Sequence, residues 1–433
     1  MTGVTNGYFT EISYPDKFQL ELSPVWLSAT LVALGIRAPS VTRTSYCELG
    51  CGGGYNLCRL AAANPSMQFV GIDINLDHIA TGRGLASEAE LENITFHHYD
   101  LANLGTDFLK FDFIVAHGIY SWVEQPIRDA ILGFAENHLA RDGVVYLHYM
   151  SQPGAATFDT FRNIVQLTVN QNNKELPDAI GDGVALLESL RRAGAGFFVS
   201  NPNAGQMLTH LSNDNPAYIA HEYLNVAFEA QHVAAVIQAA SRRGLTFVGS
   251  ATPIENIDSL SLPGNVLGIL AGIKEPCLHE SVKDIARNQS LRRDLYMREF
   301  DPLDPVAHLT ALQALTFRAM PGAPVRGPVT LETRIGPVEM PATVVSPILQ
   351  RLTHGPAKFE DIEAVLPGVP TGLINQAMHI LMGASIIHPL LPMVPADHGP
   401  SDRLNRALEM RGAAGLQVAA VSDPATGSGL PIR

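Results

Sequence analysis

Ser45-Tyr-Cys-Glu-Leu-Gly-Cys-Gly-Gly-Gly54 is the stretch on which the fold turns. A strand-like segment runs into glycines at 50, 52, 53 and 54 and then into a helical pattern. A chain does this where a ligand must approach bare backbone, since glycine reaches left-handed conformations and puts no side chain in the way. The spacing is Glu-x-Gly-x-Gly-x-Gly over Glu48, Gly50, Gly52 and Gly54. In the dinucleotide fingerprint Gly-x-Gly-x-x-Gly the third glycine comes one residue later, and no acid is required before the first. The expectation is a nucleotide-type site just beyond a first strand.

Around that loop, residues 44 to 150 alternate strand-like and helix-like patterns, as a doubly wound parallel sheet requires. Strands are expected near 44–50, 68–74, 94–100, 111–117 and 144–150, with helices near 54–63, 75–87 and 124–140. Ligands in such sheets bind beyond the carboxyl ends of the strands, so the residues closing each strand are the informative ones. The second strand ends in Asp73, about 20 residues past the glycine loop, where a carboxylate can grip both ribose hydroxyls. An aspartate capping the next helix is a plausible reading on its own, and the glycine loop before it favours the ribose. Ile74 follows as an apolar platform. His97 and His98 point to opposite faces of the third strand and so cannot share a metal; they read as structural, and no metal site is expected.

The loop resembles motif I of the class I S-adenosylmethionine (SAM) methyltransferases. The resemblance implies SAM as cofactor and S-adenosylhomocysteine as product. Glu48 would face the amino and sulfonium region, Gly50, Gly52 and Gly54 would bed the methionine half, Asp73 would hold the ribose and Ile74 would lie against adenine. Asp100 would read the adenine amino group, with the Leu101 backbone beside it. A leading helix, with Ser23 as N-cap and Pro24 at its first turn, often closes over the cofactor in that family, which brings Tyr14 toward the site. The fourth strand runs into His117-Gly-Ile-Tyr-Ser-Trp-Val123, the floor between cofactor and acceptor. This run, Tyr14-Pro15, Ala220-His-Glu-Tyr-Leu-Asn225 and Arg292-Arg-Asp-Leu-Tyr296 are similar to marks of bacterial methyltransferases that carry a methyltransferase regulatory domain. That group includes protein lysine methyltransferases acting on outer-membrane proteins. His117 and Tyr120 from the floor, and His221 and Tyr223 from a helical cap, are the expected catalytic or acceptor-side groups, and His117 is expected to touch the cofactor as well. No Asn-Pro-Pro-Tyr type run appears, which argues against the amide and base N-methyltransferases that use one.

Composition sets the frame. At 433 residues, 46% hydrophobic and 16% charged, the chain can bury the cores of two or three domains. A net charge of −13 argues against a nucleic-acid partner and favours a cationic or neutral acceptor, whether protein or small molecule. Four cysteines without metal spacing read as reduced thiols. No leading apolar run or membrane-length segment is visible, so the expected setting is the cytoplasm.

The expected organisation is α/β: a Rossmann-like doubly wound sheet from 1–152 plus 244–252, a helical cap or regulatory insertion at 153–243, a middle domain at 253–335 and a C-terminal winged-helix-like α+β module at 336–433. Segment 245–250 is expected to rejoin the sheet. Arg292-Arg293-Asp294 reads as an interdomain salt-bridge set, and the Gly-, Ser-, Pro- and Thr-rich tail after about 420 reads as frayed. The C-terminal module has too few basic residues for a DNA face and reads as protein-binding or dimerising, with a homodimer as one assembly.

Overall fold

A computed structural model describes residues 4–5, 8–9, 15–105, 107–171, 174–214, 216–333 and 335–432. Tyr14 lies outside them. The centre is a seven-stranded sheet: β1 (Ser45–Leu49), β2 (Gln68–Asp73), β3 (Ile94–His98), β4 (Phe111–Ala116), β5 (Leu139–Met150), β6 (Thr246–Ser250) and β7 (Leu291–Met297), in the order β3-β2-β1-β4-β5-β7-β6. The first five are parallel, and β7 runs antiparallel to both β5 and β6.

The strands are buried on both faces, because successive side chains serve opposite cores. Tyr46, Phe113 and Tyr146 enter one core with Leu57, Leu60, Ile79 and Leu85 from helices Tyr55–Ala63 and Leu76–Glu88. Their neighbours Cys47, Ile114, Val145 and Leu147 enter the other, against Ile131, Leu132 and Phe134 of helix Gln125–His138 and Val233 and Val236 of helix Val233–Ser241. A one-residue slip in register would exchange the two sets, so the apolar pattern pins the pairing.

Thr246–Ser250 rejoins the sheet as expected, but through a strand the sequence reading placed elsewhere. Leu291–Met297, taken as part of a middle segment, lies between β5 and β6. Residues 156 to 223 form a helical block with its own core around Phe158, Phe161, Leu187, Leu208 and Tyr223. Toward the C-terminus a fourth core gathers Phe317, Ile348, Phe359, Met378 and Ile387. It belongs to a three-stranded antiparallel sheet, ordered Ala357–Lys358, Thr316–Ala319, Ile387–Pro389, with helices Ala342–Thr353, Phe359–Ala364 and Thr371–Gly383. Its central strand precedes the helices in the chain.

The leading helix, Pro24–Ala33, is buried on nearly every side: Val25 and Leu31 reach the sheet core while Trp26 and Ala29 reach the C-terminal core. Pro24 opens it, but the Ser23 hydroxyl bonds the Gly427 carbonyl at 3.3 Å and does not cap the helix.

The tail corrects the sequence expectation. Ala420–Asp423 and Ser428–Pro431 pair as a hairpin, held to helix Tyr55–Ala63 by Arg59 Nε on the Ala420 carbonyl at 2.9 Å and Asn64 Nδ2 on the Gly427 carbonyl at 2.8 Å. Small polar residues left its own pattern weak; buried partners some 360 positions earlier supply the order. No described helix is long and apolar enough to cross a membrane.

Candidate active site

The crevice lies where the ends of β1, β2 and β4 meet the glycine loop. Gly50 N–H and Cys51 N–H donate to the Ile72 carbonyl at 2.7 and 3.1 Å, which turns the loop sharply back over β2. Gly52 has φ +54°, and a Cβ built there would meet nothing within 4 Å. Gly54 differs: at φ +71° its missing Cβ leaves room for the Phe96 ring, 2.6 Å from where that atom would stand. The first glycine opens space for a ligand and the second lets the helix pack on the sheet.

Glu48, Gly50, Gly52, Gly54, Asp73, Ile74, Asp100, Leu101 and His117 all line this one crevice, as the sequence reading expected. Asp73 accepts from Gly52 N–H at 2.9 Å and Asn75 N–H at 2.8 Å, so its carboxylate is oriented with lone pairs to spare. Asp100 accepts from Ala102 N–H at 2.9 Å.

Glu48 is different in kind. It is buried, and its Oε2 has no hydrogen-bond partner among the described residues. Burial, with Asp73 as the lesser cause, pushes its carboxyl up to about 8. Both amide atoms of Asn56, also on the crevice wall, lack partners too. Orphaned buried polar atoms around open space mark a site whose hydrogen bonds are completed by something else. A ligand with an ammonium and a sulfonium, such as SAM, fits: Glu48 and Asn56 would meet its amino-acid end, Asp73 its ribose, and Ile74, Asp100 and Leu101 its base.

The floor segment is held by a stack of rings. His117 lies 4.1 Å from His148, centroid to centroid, and Trp122 lies parallel to His148 at 6.4 Å. Gly118 N–H donates to His148 Nδ1 at 3.0 Å. His117 Nδ1 is 3.0 Å from the Tyr146 hydroxyl. The Arg293 guanidinium lies near the same hydroxyl. Burial first, then Arg293, holds His117 down near 3, and burial with His117 and Arg293 holds His148 well below its usual range. Both rings are neutral at ordinary pH.

Three expected groups lie elsewhere. Tyr120 is buried against Tyr149, because Gly118, at φ +66°, turns the chain so that His117 and Trp122 face the crevice and Tyr120 faces the core. His221 is buried off the crevice, and Tyr223 packs on Phe158 at 4.6 Å inside the helical block. Groups not anticipated take their place on the wall: Asp16, Lys17, Gln19 and Leu22 from the N-terminal arm, with Asn56, His78 and Trp122. Trp122 had a visible signal, an aromatic in the floor run; the arm residues had none. Of the expected salt-bridge set, Arg292 sits buried in β7, bound to Asp294 beside it and to Glu280 and Asp284 of helix Pro276–Arg287, while Arg293 lies 3.7 Å from Glu21 of the N-terminal arm.

Residues 41–241 match a methyltransferase domain, and residues 215–298 match a predicted methyltransferase regulatory domain. An uncharacterized protein of Synechocystis sp. is 29% identical over 435 residues, covering 99% of this chain and 85% of that protein. One from Rickettsia prowazekii is 28% identical over 233 residues, covering 51% of this chain and 42% of that protein. Among solved structures, PKMT2 from Rickettsia typhi superposes with a TM-score of 0.72 at 18% identity, over 97% of this chain and 86% of that one. Its complex with AdoHcy gives 0.67 at 20% identity, over 87% and 77%. The glycine loop, the carboxylates closing β1 and β2, and the two matched domains together make this chain a SAM-dependent methyltransferase that carries a methyltransferase regulatory domain.

Proposed function

We propose that the chain methylates an amine of a protein, a lysine side chain. The observation that carries the reading is the union of two features in one crevice. It is acidic where a cationic ligand belongs, with Glu48, Asp73 and Asp100, yet its floor of His117, Ile119, Trp122, Val123 and Ile127 is neutral and largely apolar. Lys17 is exposed and also lines the crevice, so the crevice opens to solvent and a bulky acceptor has access. The regulatory-domain match and the likeness of the fold to PKMT2 support the same class of acceptor.

SAM supplies an already activated methyl group, so the residues here bind, orient and exclude water. The acceptor nitrogen must arrive as a free amine about 3 Å from the methyl, in line with the departing sulfur. Its lone pair forms the N–C bond, the C–S pair returns to sulfur, and the proton leaves the nitrogen. His117, neutral, serves in this reading as a hydrogen-bonding group that positions; the apolar floor lowers the acceptor's affinity for its proton by desolvation.

The test is to incubate the pure protein with methyl-labelled SAM and a bacterial lysate, then to divide the label between acid-precipitable and soluble fractions. Label in protein on lysine, lost with Asp73→Ala, is the expected result. Label confined to small molecules would make the acceptor a metabolite, and SAM binding without transfer to either fraction would make the chain a SAM sensor.

A further inference from the structure

Lys17 and Tyr218 come together from two distant segments at the crevice mouth. The Lys17 Nζ stands over the Tyr218 ring, 3.4 Å from its centre, well within the roughly 6 Å over which an aromatic face attracts a cation. Tyr218 belongs to helix Pro216–Tyr223, inside the regulatory-domain match. Glu222 follows one turn later, on the same face of that helix. Glu222 and Asp214 are near enough to the Tyr218 hydroxyl to help raise it, after burial as the larger cause. The same turn is tied to the crevice wall, since the Trp122 indole N–H donates to the Glu222 carbonyl at 3.4 Å. An aromatic face and a lysine nitrogen therefore meet beside the crevice wall, with Glu222 one turn along the same helix face.

We propose that the Tyr218 ring and the Glu222 carboxylate form the seat that recognises the acceptor's lysine ammonium, and that Lys17 occupies this seat until the acceptor displaces it. This rests on the protein-lysine reading above and adds which groups recognise the lysine. It gives the nitrogen two stations. The charged form is recognised at the ring; on moving inward to the apolar floor it releases its proton to water at the mouth, and the free amine attacks the methyl carbon as the C–S bond breaks. Lys17 lowers the apparent affinity for acceptor by the fraction of time it holds the seat.

The experiment uses the full chain saturated with S-adenosylhomocysteine, so that nothing turns over. Binding of a capped Ala-Lys-Ala peptide is measured by NMR titration against the matching norleucine peptide, which lacks only the amine. Wild type should prefer the lysine peptide. Lys17→Ala should tighten that peptide roughly fivefold and leave the norleucine peptide unchanged, as expected for removing one exposed cation–ring competitor. Tyr218→Ala should weaken it by about three- to tenfold, and Tyr218→Phe should restore it because the ring face is retained. A thermal melt within a few degrees of wild type confirms folding of each variant. Lysine preference that neither Lys17→Ala nor Tyr218→Ala alters would overturn the seat and leave the lysine reading standing. No lysine preference in wild type or in Lys17→Ala would overturn the lysine reading itself.

Discussion

The sheet holds two buried clusters of carboxylates, and they are finished to different degrees. Around Arg292 every acid has donors: Glu280 takes Arg292 Nη2 at 2.9 Å and Lys283 at 3.2 Å, Asp284 takes Arg292 Nη1 and the Ser151 hydroxyl, and Asp294 takes Arg292 Nε at 2.8 Å and the hydroxyls of Tyr149 at 2.6 Å and Tyr296 at 3.1 Å. At the glycine loop, Glu48 has no cation among the described residues and an orphaned oxygen. The balanced cluster ties β5 and β7 to a helix; the unbalanced one awaits a positive ligand. A buried charge left unpaired costs several kcal/mol unless the group changes its protonation, so such incompleteness persists at a site that a ligand completes.

The contrast breaks most visibly at Gly52. Gly52→Arg puts a long cation into the open space at φ +54° and should lower SAM affinity by about a hundredfold or more by calorimetry. Unchanged affinity would remove the loop from the site. Next in size is the balanced cluster. Arg292→Met leaves three acids without their common cation and should cost about 3–5 kcal/mol in urea unfolding, whereas Glu48→Gln should cost less than about 1 kcal/mol. Equal losses would mean that Glu48 is structural.

Proton counting sharpens the same difference. Because Glu48 is held up near 8 against an ordinary 4.5, the empty folded chain binds more protons than the unfolded one between those values. Its contribution to stability therefore declines as pH rises from about 4.5 to 8. SAM, bringing positive charge, should expel most of one proton at pH 7, read from calorimetry in buffers of different ionisation enthalpy. Glu48→Gln should abolish that release. The smallest effect is expected at His117. Held near 3 against an ordinary 6.5, it leaves no limb of its own in the pH–rate profile between pH 5 and 8. Its effect on stability appears only as pH falls from about 6.5 toward 3, where the unfolded chain takes up the proton first. A limb near pH 6.5 that His117→Gln removes would restore it as a base.

The residues that line the crevice from the strand ends were legible because their spacing is local. A glycine loop after a strand, an acid before it and carboxylates at strand ends are set by short spacings and by where parallel strands deliver their last residues. The acceptor half was not. Tyr120, His221 and Tyr223 sit in aromatic-rich runs with nothing in them to say which side faces out, and one left-handed Gly118 and the packing of the helical block against Phe158 turned them inward.

The sequence by itself determined the strand alternation, the two-faced core and the crevice-facing carboxylates, since each depends on periodicity within a few residues. Only the tertiary structure decided what closes around them. Asp16 of the arm pairs with Arg59, both wholly buried, while Arg59 also reaches Ala420 of the tail hairpin. Lys17 meets Tyr218 about two hundred residues away in the same manner. Such contacts depend on how separate elements pack, and a desolvated ion pair or ring contact has no local period to announce it.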